Sequence, residues 1–221
     1  STQGVSSAAS DVYKRQMIGI GKKKEKHTPH NLLITLIGGI LVWLGWYGFN
    51  VGSAFTFDHI AMISFVNTVI GASAGAFGWL IFEYILKKTT SLLGLLSGAL
   101  SGLVAITPAA GYVSYMSAMI IAIIGGICCY IVINLIKVKL QYNDALDAFG
   151  IHGVGGILGA VLTGVFQSHQ INSAVQNGFI YTADFKVVVI QLGAAIATVV
   201  FSAIVTSVSY THLTLPTILL V

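Results

Sequence analysis

Charge is what this chain has least of. Only 8% of its 221 residues are charged, seven Asp and Glu against eleven Lys and Arg, where a soluble domain carries about a quarter. So few charges cannot cover a water-facing surface, and a soluble globule is excluded. Cysteine is confined to the adjacent pair Cys128 and Cys129. Neighbouring helical residues point in different directions, so the two are expected as free thiols acting as small hydrophobes, and no disulfide framework exists. Proline occurs three times, and one of these, Pro108, interrupts an apolar run. There is no phosphate-binding glycine loop, no nucleophile elbow and no pair of active-site carboxylates, so nothing supports an enzyme or a bound cofactor. A lone membrane-depth histidine without a partner at i+3 or i+4 gives no metal site. The formal charge of +4 does not point to nucleic acid, because the lysines fall in short clusters between apolar runs.

What the chain has is hydrophobic length: 56% apolar residues and a mean hydropathy of +0.88. Six runs approach or reach the roughly 20 residues that cross a bilayer core at 1.5 Å per residue. They are 31–51, 60–86, 92–106, 115–135, 144–166 and 187–206. The third is short and ends where Thr107-Pro108-Ala-Ala-Gly111 breaks the pattern, since proline removes a donor and restricts its predecessor. The segments lack the alternation of a barrel, so the fold class is an all-α membrane protein, a polytopic helix bundle. Lysines mark the loop 17–30 (Lys22, Lys23, Lys24, Lys26), the loop 87–91 (Lys87, Lys88) and the loop 137–143 (Lys137, Lys139). By the positive-inside rule these loops are cytoplasmic.

His152 is the residue that most needs a reason. It lies inside the fifth run, among Gly150, Gly153, Gly155 and Gly156, about 12 Å from the cytoplasmic end at Asp144 by helical rise. A histidine at membrane depth is expensive and marks a pathway or a relay; the other reading is a neutral imidazole bonded across helices. Asp144 and Asp147, one helical turn apart, are either helix caps or supports of an exit path. Trp46, Phe49 and Ser53 follow i, i+3, i+7 at the extracytoplasmic end of the first run and share one face. They form either an interfacial aromatic belt or a small-cation site, because π faces attract ammonium-like ions and a hydroxyl accepts a hydrogen bond. Gly94/Gly98/Gly102 with Ser97/Ser101 reads as close helix packing. Asn67 is expected to bond between helices, and Glu83 to be interfacial and paired with Lys87 or Lys88.

The two ends are expected not to be native. Residues 6–16 back-translate to a DNA whose reverse complement, read two bases on, encodes Val208 to Thr217, residue for residue. That DNA resembles a transposase-type sequencing adapter, so 1–16 and 208–221 are set aside as translated adapter, leaving 17–207 as an internal fragment of something longer.

Several motifs in collinear order resemble the second half of the ammonium transporter (Amt/Mep/Rh) family. They are Pro29-His-Asn31, Gly45-Trp-Tyr-Gly-Phe-Asn-Val-Gly-Ser53, Phe65-Val-Asn-Thr68, Ser97-Gly-Ala-Leu-Ser-Gly-Leu-Val104, Thr107-Pro-Ala-Ala-Gly-Tyr112 and Asp147-Ala-Phe-Gly-Ile-His-Gly-Val-Gly-Gly156. The resemblance implies six transmembrane helices corresponding to helices 6–11 of an eleven-helix fold built from inverted repeats. It implies ammonium and ammonia as substrate, the lipid bilayer of the plasma (cell inner) membrane as setting, and a homotrimer with one pore per subunit. A PII-type regulator is an implied partner. Ser53 and Trp46 would belong to the recruitment site, with Trp46 also lining the wall below, Phe49 to the gate, and His152 to a twin-histidine pair. Asp144, Asp147, Asn50 and Thr107 would support them. The same motifs would also fit the membrane ammonium-sensor module of a signalling protein, and a non-conducting scaffold is a third reading.

Overall fold

The computed structural model describes residues 31–140, 144 and 147–218, with side chains described as far as 209. The segments 1–16 and 17–30, with their lysine cluster, and the loop residues 141–143 lie outside the described residues. Among those described, every regular element is helical, and six helices are long and apolar enough to cross a membrane.

Helix α1 spans Leu32–Gly52 and is capped by Asn31, whose Oδ1 accepts from the N–H groups of Leu33 (2.9 Å) and Ile34 (3.2 Å). A short loop leads to Asp58, which caps α2 (His59–Lys87) by accepting from Ile60 and Ala61. Such caps satisfy N–H groups that no helical carbonyl reaches. Lys88, in the left-handed conformation, closes α2 with its N–H on the Tyr84 carbonyl. Helix α3 (Leu92–Ile106) starts at the Ser91 cap and ends in a tight turn, Thr107–Ala109, at Pro108. Helix α4 (Tyr115–Ile131) does not stop near 135 as the charge of Lys137 suggests. It widens into a π turn over Val132–Ile136 and continues as a last α turn, Lys137–Leu140. Nothing there breaks a helix, so the backbone carries on past the apolar run. Helix α5 (Gly155–Phe166) is likewise preceded by a π turn, Phe149–Val154. A four-residue helix α6 (Phe179–Thr182) precedes α7, Lys186–Ile218, which runs on beyond 206.

Small residues decide the packing, because lipid offers no hydrophobic drive for helices to associate and close backbone approach must supply it. A Cβ on Gly75 would meet the Gly102 nitrogen at 2.6 Å and the Gly98 carbonyl oxygen at 2.6 Å. Gly98 has Trp79 Cβ at 2.5 Å, and Gly78 faces the Ile123 carbonyl oxygen at 2.6 Å. Helices α2, α3 and α4 therefore form a tight trio, as the four-residue glycine spacing predicts. Asn67 also bonds between elements as expected, its Nδ2 donating to the carbonyls of Ala110 (2.8 Å) and Val113 (2.9 Å). Glu83 is paired with Lys87 (3.5 Å), as expected, and is buried. Its carboxylate accepts from the Ser91 hydroxyl (3.1 Å) and N–H (3.3 Å), tying the end of α2 to the start of α3.

Helix α1 lies against α2 and α3, and α7 lies against α5. At one end of the bundle Lys87 reaches Asn134 (3.4 Å) and Lys137 reaches Asp147. At the other, Ser168 donates to the Tyr112 carbonyl and Asn172 to that of Gly111. The turns bearing Lys87, Lys88, Lys137 and Lys139 thus gather on one side, the arrangement the charge pattern predicts for the cytoplasmic face, while Lys186 lies toward the other.

Candidate functional site

A cavity of about 560 Å³ opens along the inner face of α1. Val42, Gly45, Trp46 and Phe49 line it from α1, Val104 from α3, Thr107 and Pro108 from the turn after α3, and His152 and Gly156 from the fifth span. Its wall is almost wholly apolar, interrupted by one imidazole, one indole N–H and one hydroxyl.

Trp46 is fixed at its polar tip. Its Nε1–H donates to Thr107 Oγ1 at 2.8 Å, and that hydroxyl donates to the Leu103 carbonyl at 2.7 Å. The proline turn holds Thr107 in place, so the break read from sequence also anchors the indole. The His152 ring stacks on Trp46, with centroids 6.3 Å apart and planes within 18°. Phe49 also meets Trp46, edge-on at 6.5 Å, and is 61% exposed, standing out into the open side of the cavity. The three rings form a ladder with the imidazole at one end.

The glycines around His152 divide their work. Gly155 packs on Val104 and Cys129, and a Cβ on Gly150 or Gly159 would strike Ile133 or the Ala105 carbonyl. Gly156 has nothing near its missing Cβ and leaves the cavity its width.

Ser53 is not among the cavity residues. It caps α1 from the exposed loop, its hydroxyl donating to the Phe49 carbonyl at 2.7 Å, which leaves its lone pairs free to accept. Asn50 is buried and donates to Thr68 Oγ1 at 3.0 Å, while Thr68 donates to the Ser64 carbonyl. It pins α1 to α2 rather than facing the cavity.

Asp144 and Asp147 depart from the expected helical spacing. Asp147 has φ +54° and precedes the helix, so the α rise assumed from Asp144 to His152 does not hold. Asp144 is 1% exposed and acts as the cap, its two carboxylate oxygens accepting from Ala148 (3.0 Å) and Phe149 (2.9 Å). The Asp147 carboxylate pairs with Lys137 Nζ at 2.6 Å. Sequence reasoning did not single out Val42, Val104 or Pro108 as lining, nor Lys137 as a partner. Apolar lining residues carry no local signal, and the ion pair joins residues ten apart across a loop.

The chain matches the model described as Ammonium Transporter Family over residues 7–221. It is 49% identical over 193 residues to an ammonium transporter of Bacillus subtilis, covering 86% of this chain and 48% of that protein. It is 36% identical to ammonium transporter MEP2 of Saccharomyces cerevisiae, over 85% of this chain and 39% of that one. The fold is similar to the crystal structure of S. cerevisiae Mep2, with a TM-score of 0.77 at 34% identity, covering 86% of this chain and 44% of Mep2. A solved structure titled Sensor Amt Protein is similar at a TM-score of 0.66 and 29% identity, over 75% of this chain and 40% of that one. The chain spans about half the length of the curated relatives it matches.

Proposed function

The chain belongs to the ammonium transporter family, and from that premise we propose that it forms one wall of a membrane path for ammonium and ammonia. The observation that carries this reading is the ladder of Phe49, Trp46 and His152 along an otherwise apolar cavity. A bare cation is costly in such a lining. A neutral ammonia molecule is not, and a neutral imidazole offers it one donor and one acceptor. In this reading ammonium is recruited on the extracytoplasmic side by the Trp46 π face and the acceptor lone pairs of Ser53. It gives up its proton to water on the extracytoplasmic side at entry, and ammonia passes Phe49 and then His152. Trp46 is held for the task by Thr107, while Asn50 and Asp144 fix the helices that carry the ladder. No bond of the substrate to carbon, phosphorus or metal is made or broken, so the activity is transport and not an enzyme's. The family resemblance extends the proposal to a trimer with a path in each subunit and to a PII-type regulator acting from the cytoplasm.

Transport is favoured over the sensor reading because the chain is more similar in fold to Mep2 than to the sensor structure. The test is methylammonium uptake by transport-deficient cells expressing the complete transporter that carries this chain. With His152→Ala, uptake is expected to fall by about tenfold or more, the scale of losing a positioned proton-transfer group. Unchanged uptake at equal membrane abundance would refute a pore role for the histidine and favour the scaffold.

A further inference from the structure

Two widened helical turns face each other at the cytoplasmic end of the bundle. One is Val132–Ile136, continuing α4; the other is Phe149–Val154, which carries His152. They touch where Ile133 fills the space beside Gly150, leaving no room for a Cβ. Lys137, the first residue after the first π turn, ties the two together. Its ammonium donates to Asp147 Oδ1 at 2.6 Å and also to the Asp144 backbone carbonyl. Asp147 in turn sits in the left-handed conformation, tolerated by Asp but not favoured, and its own carbonyl accepts from Ile151 N–H at 2.9 Å, inside the second π turn.

A π turn holds one residue more than an α turn and occurs mostly as single-turn bulges, frequently at functional sites. If the turn over 149–154 relaxed to α, residues on its N-terminal side would rotate by one residue's worth, about 100°. The C-terminal side cannot rotate, because Gly155 is packed on Val104 and Cys129, and Gly159 on the Ala105 backbone. The phase of His152 therefore depends on what holds the N-terminal side. Two anchors do so: the Asp144 cap on Ala148 and Phe149, and the grip of Lys137 on Asp144 and Asp147.

We propose that Lys137 is a positioning residue for His152: it locks the π turn that aims the imidazole at Trp46. The inference rests on the reading of His152 as a path-lining group. The tie is only partly shielded, the Lys137 and Asp147 side chains being 24% and 33% exposed, so its worth as a stabilising ion pair alone is small. Its consequence lies in geometry.

The test uses the complete transporter and the concentration dependence of methylammonium uptake at matched membrane abundance. Lys137→Ala is expected to lower Vmax by about tenfold, since ångström misplacements of an acting group cost up to ~10²-fold. It is expected to leave KM within about twofold, because the recruitment face at the other end is untouched. Lys137→Arg, which reaches both acceptors, restores at least half of Vmax. Asp147→Asn keeps the fold and weakens the same tie from the other side, and falls between wild type and Lys137→Ala. It decides the matter if Lys137→Ala does not reach the membrane. Wild-type Vmax in Lys137→Ala or in Asp147→Asn, or an Arg variant no better than Ala, overturns the proposal. His152→Ala in parallel separates the two readings. Lost uptake there with intact uptake in the Lys137 variants sinks only this inference, whereas intact uptake in His152→Ala sinks the path reading on which it stands.

Discussion

Asn67 allows a prediction in which the sign and the ranking both follow from the bonding. The residue is wholly buried on α2. Its two amide hydrogens go to the carbonyls of Ala110 and Val113, in the stretch where α3 has ended and α4 has not begun. No helix satisfies those carbonyls, so the side chain does. Its Oδ1 has no partner among the described residues. Asn67→Ala strands two carbonyls, at about 1–3 kcal/mol each, and relieves one unpaired oxygen of similar cost. The balance is about one unsatisfied group plus a small cavity, or roughly 2–4 kcal/mol. Polar ties inside membrane proteins average nearer 0.6 kcal/mol, which draws the expectation toward about 2 kcal/mol. Asn67→Asp is isosteric yet worse. An ionised carboxylate has no hydrogen to give and would face two carbonyl oxygens, so it must protonate. Holding it protonated three pH units above an ordinary carboxylate pKa costs about 4 kcal/mol at neutral pH. The expected order of stability at pH 7 is Asn, then Ala, then Asp, with Asp recovering as pH falls toward 4. Thermal unfolding of the purified protein in detergent, followed by tryptophan fluorescence, measures it. An Asn67→Asp variant as stable as wild type at pH 7, or an order unchanged by pH, would refute the reasoning. The consequence reaches the site, since the same turn carries Thr107, the anchor of Trp46.

Two further outcomes follow from local geometry. Gly75→Ala drives a methyl group into the backbone of Gly98 and Gly102, so α2 and α3 must part, at about 1–3 kcal/mol of overpacking; Gly38→Ala, with nothing within 4 Å of its added Cβ, is expected to be neutral or mildly stabilising by under ~1 kcal/mol, and unfolding midpoints compare the two. The Asp58 carboxyl is held below its usual range, first by the Ala61 N–H and then by the Thr56 hydroxyl. A depressed carboxylate pKa contributes stability that is complete above the unfolded-state value, near 4, and is lost as pH falls through the folded-state value. Amide exchange at Ile60 and Ala61 should therefore quicken below about pH 4, and Asp58→Asn should remove that dependence; exchange independent of pH after correction for intrinsic rates would count against it.

The spans are legible in the sequence because hydropathy registers directly whether a segment suits lipid, and the break at Thr107-Pro108 because proline acts locally. The Gly94/Gly98/Gly102 spacing is legible for a similar reason: four-residue periodicity survives into packing. What escapes the sequence depends on partners far along the chain. Trp46 and Thr107 are 61 residues apart, and nothing near either one announces the bond. The pairing of Glu83 with Lys87 is legible from their spacing, but its burial comes from Ser91 and the start of α3 closing over it. The π turns have no composition of their own: Val132–Ile136 and Phe149–Val154 read as ordinary apolar helix. The spacing of Asp147 from Asp144 permits a helical turn, whereas the Lys137 contact and the left-handed backbone decide otherwise. The aromatic ladder is half visible, as a shared face of Trp46 and Phe49; its continuation onto His152 needs the fold.

The two bonds that reach from α1 into the trio have a mechanical consequence. Trp46 to Thr107 and Asn50 to Thr68 lie one helical turn apart, near the end of α1 that meets Ser53. Two pins so close together resist sliding and twisting but resist tilting poorly, because their lever arm is a single pitch of about 5.4 Å. Beyond those two bonds, the contacts of α1 with the trio among the described residues are apolar: Trp43 packs on the cluster of Ala72, Ala76, Ala99 and Leu103, and Gly39 lies against the flexible tip of Leu96. Helix α1 is thus mounted like a door on two hinges set in one corner. A tilt barely moves the Trp46 end of the ladder, while Val42 and the part of the cavity wall farther from Ser53 swing through the larger arc.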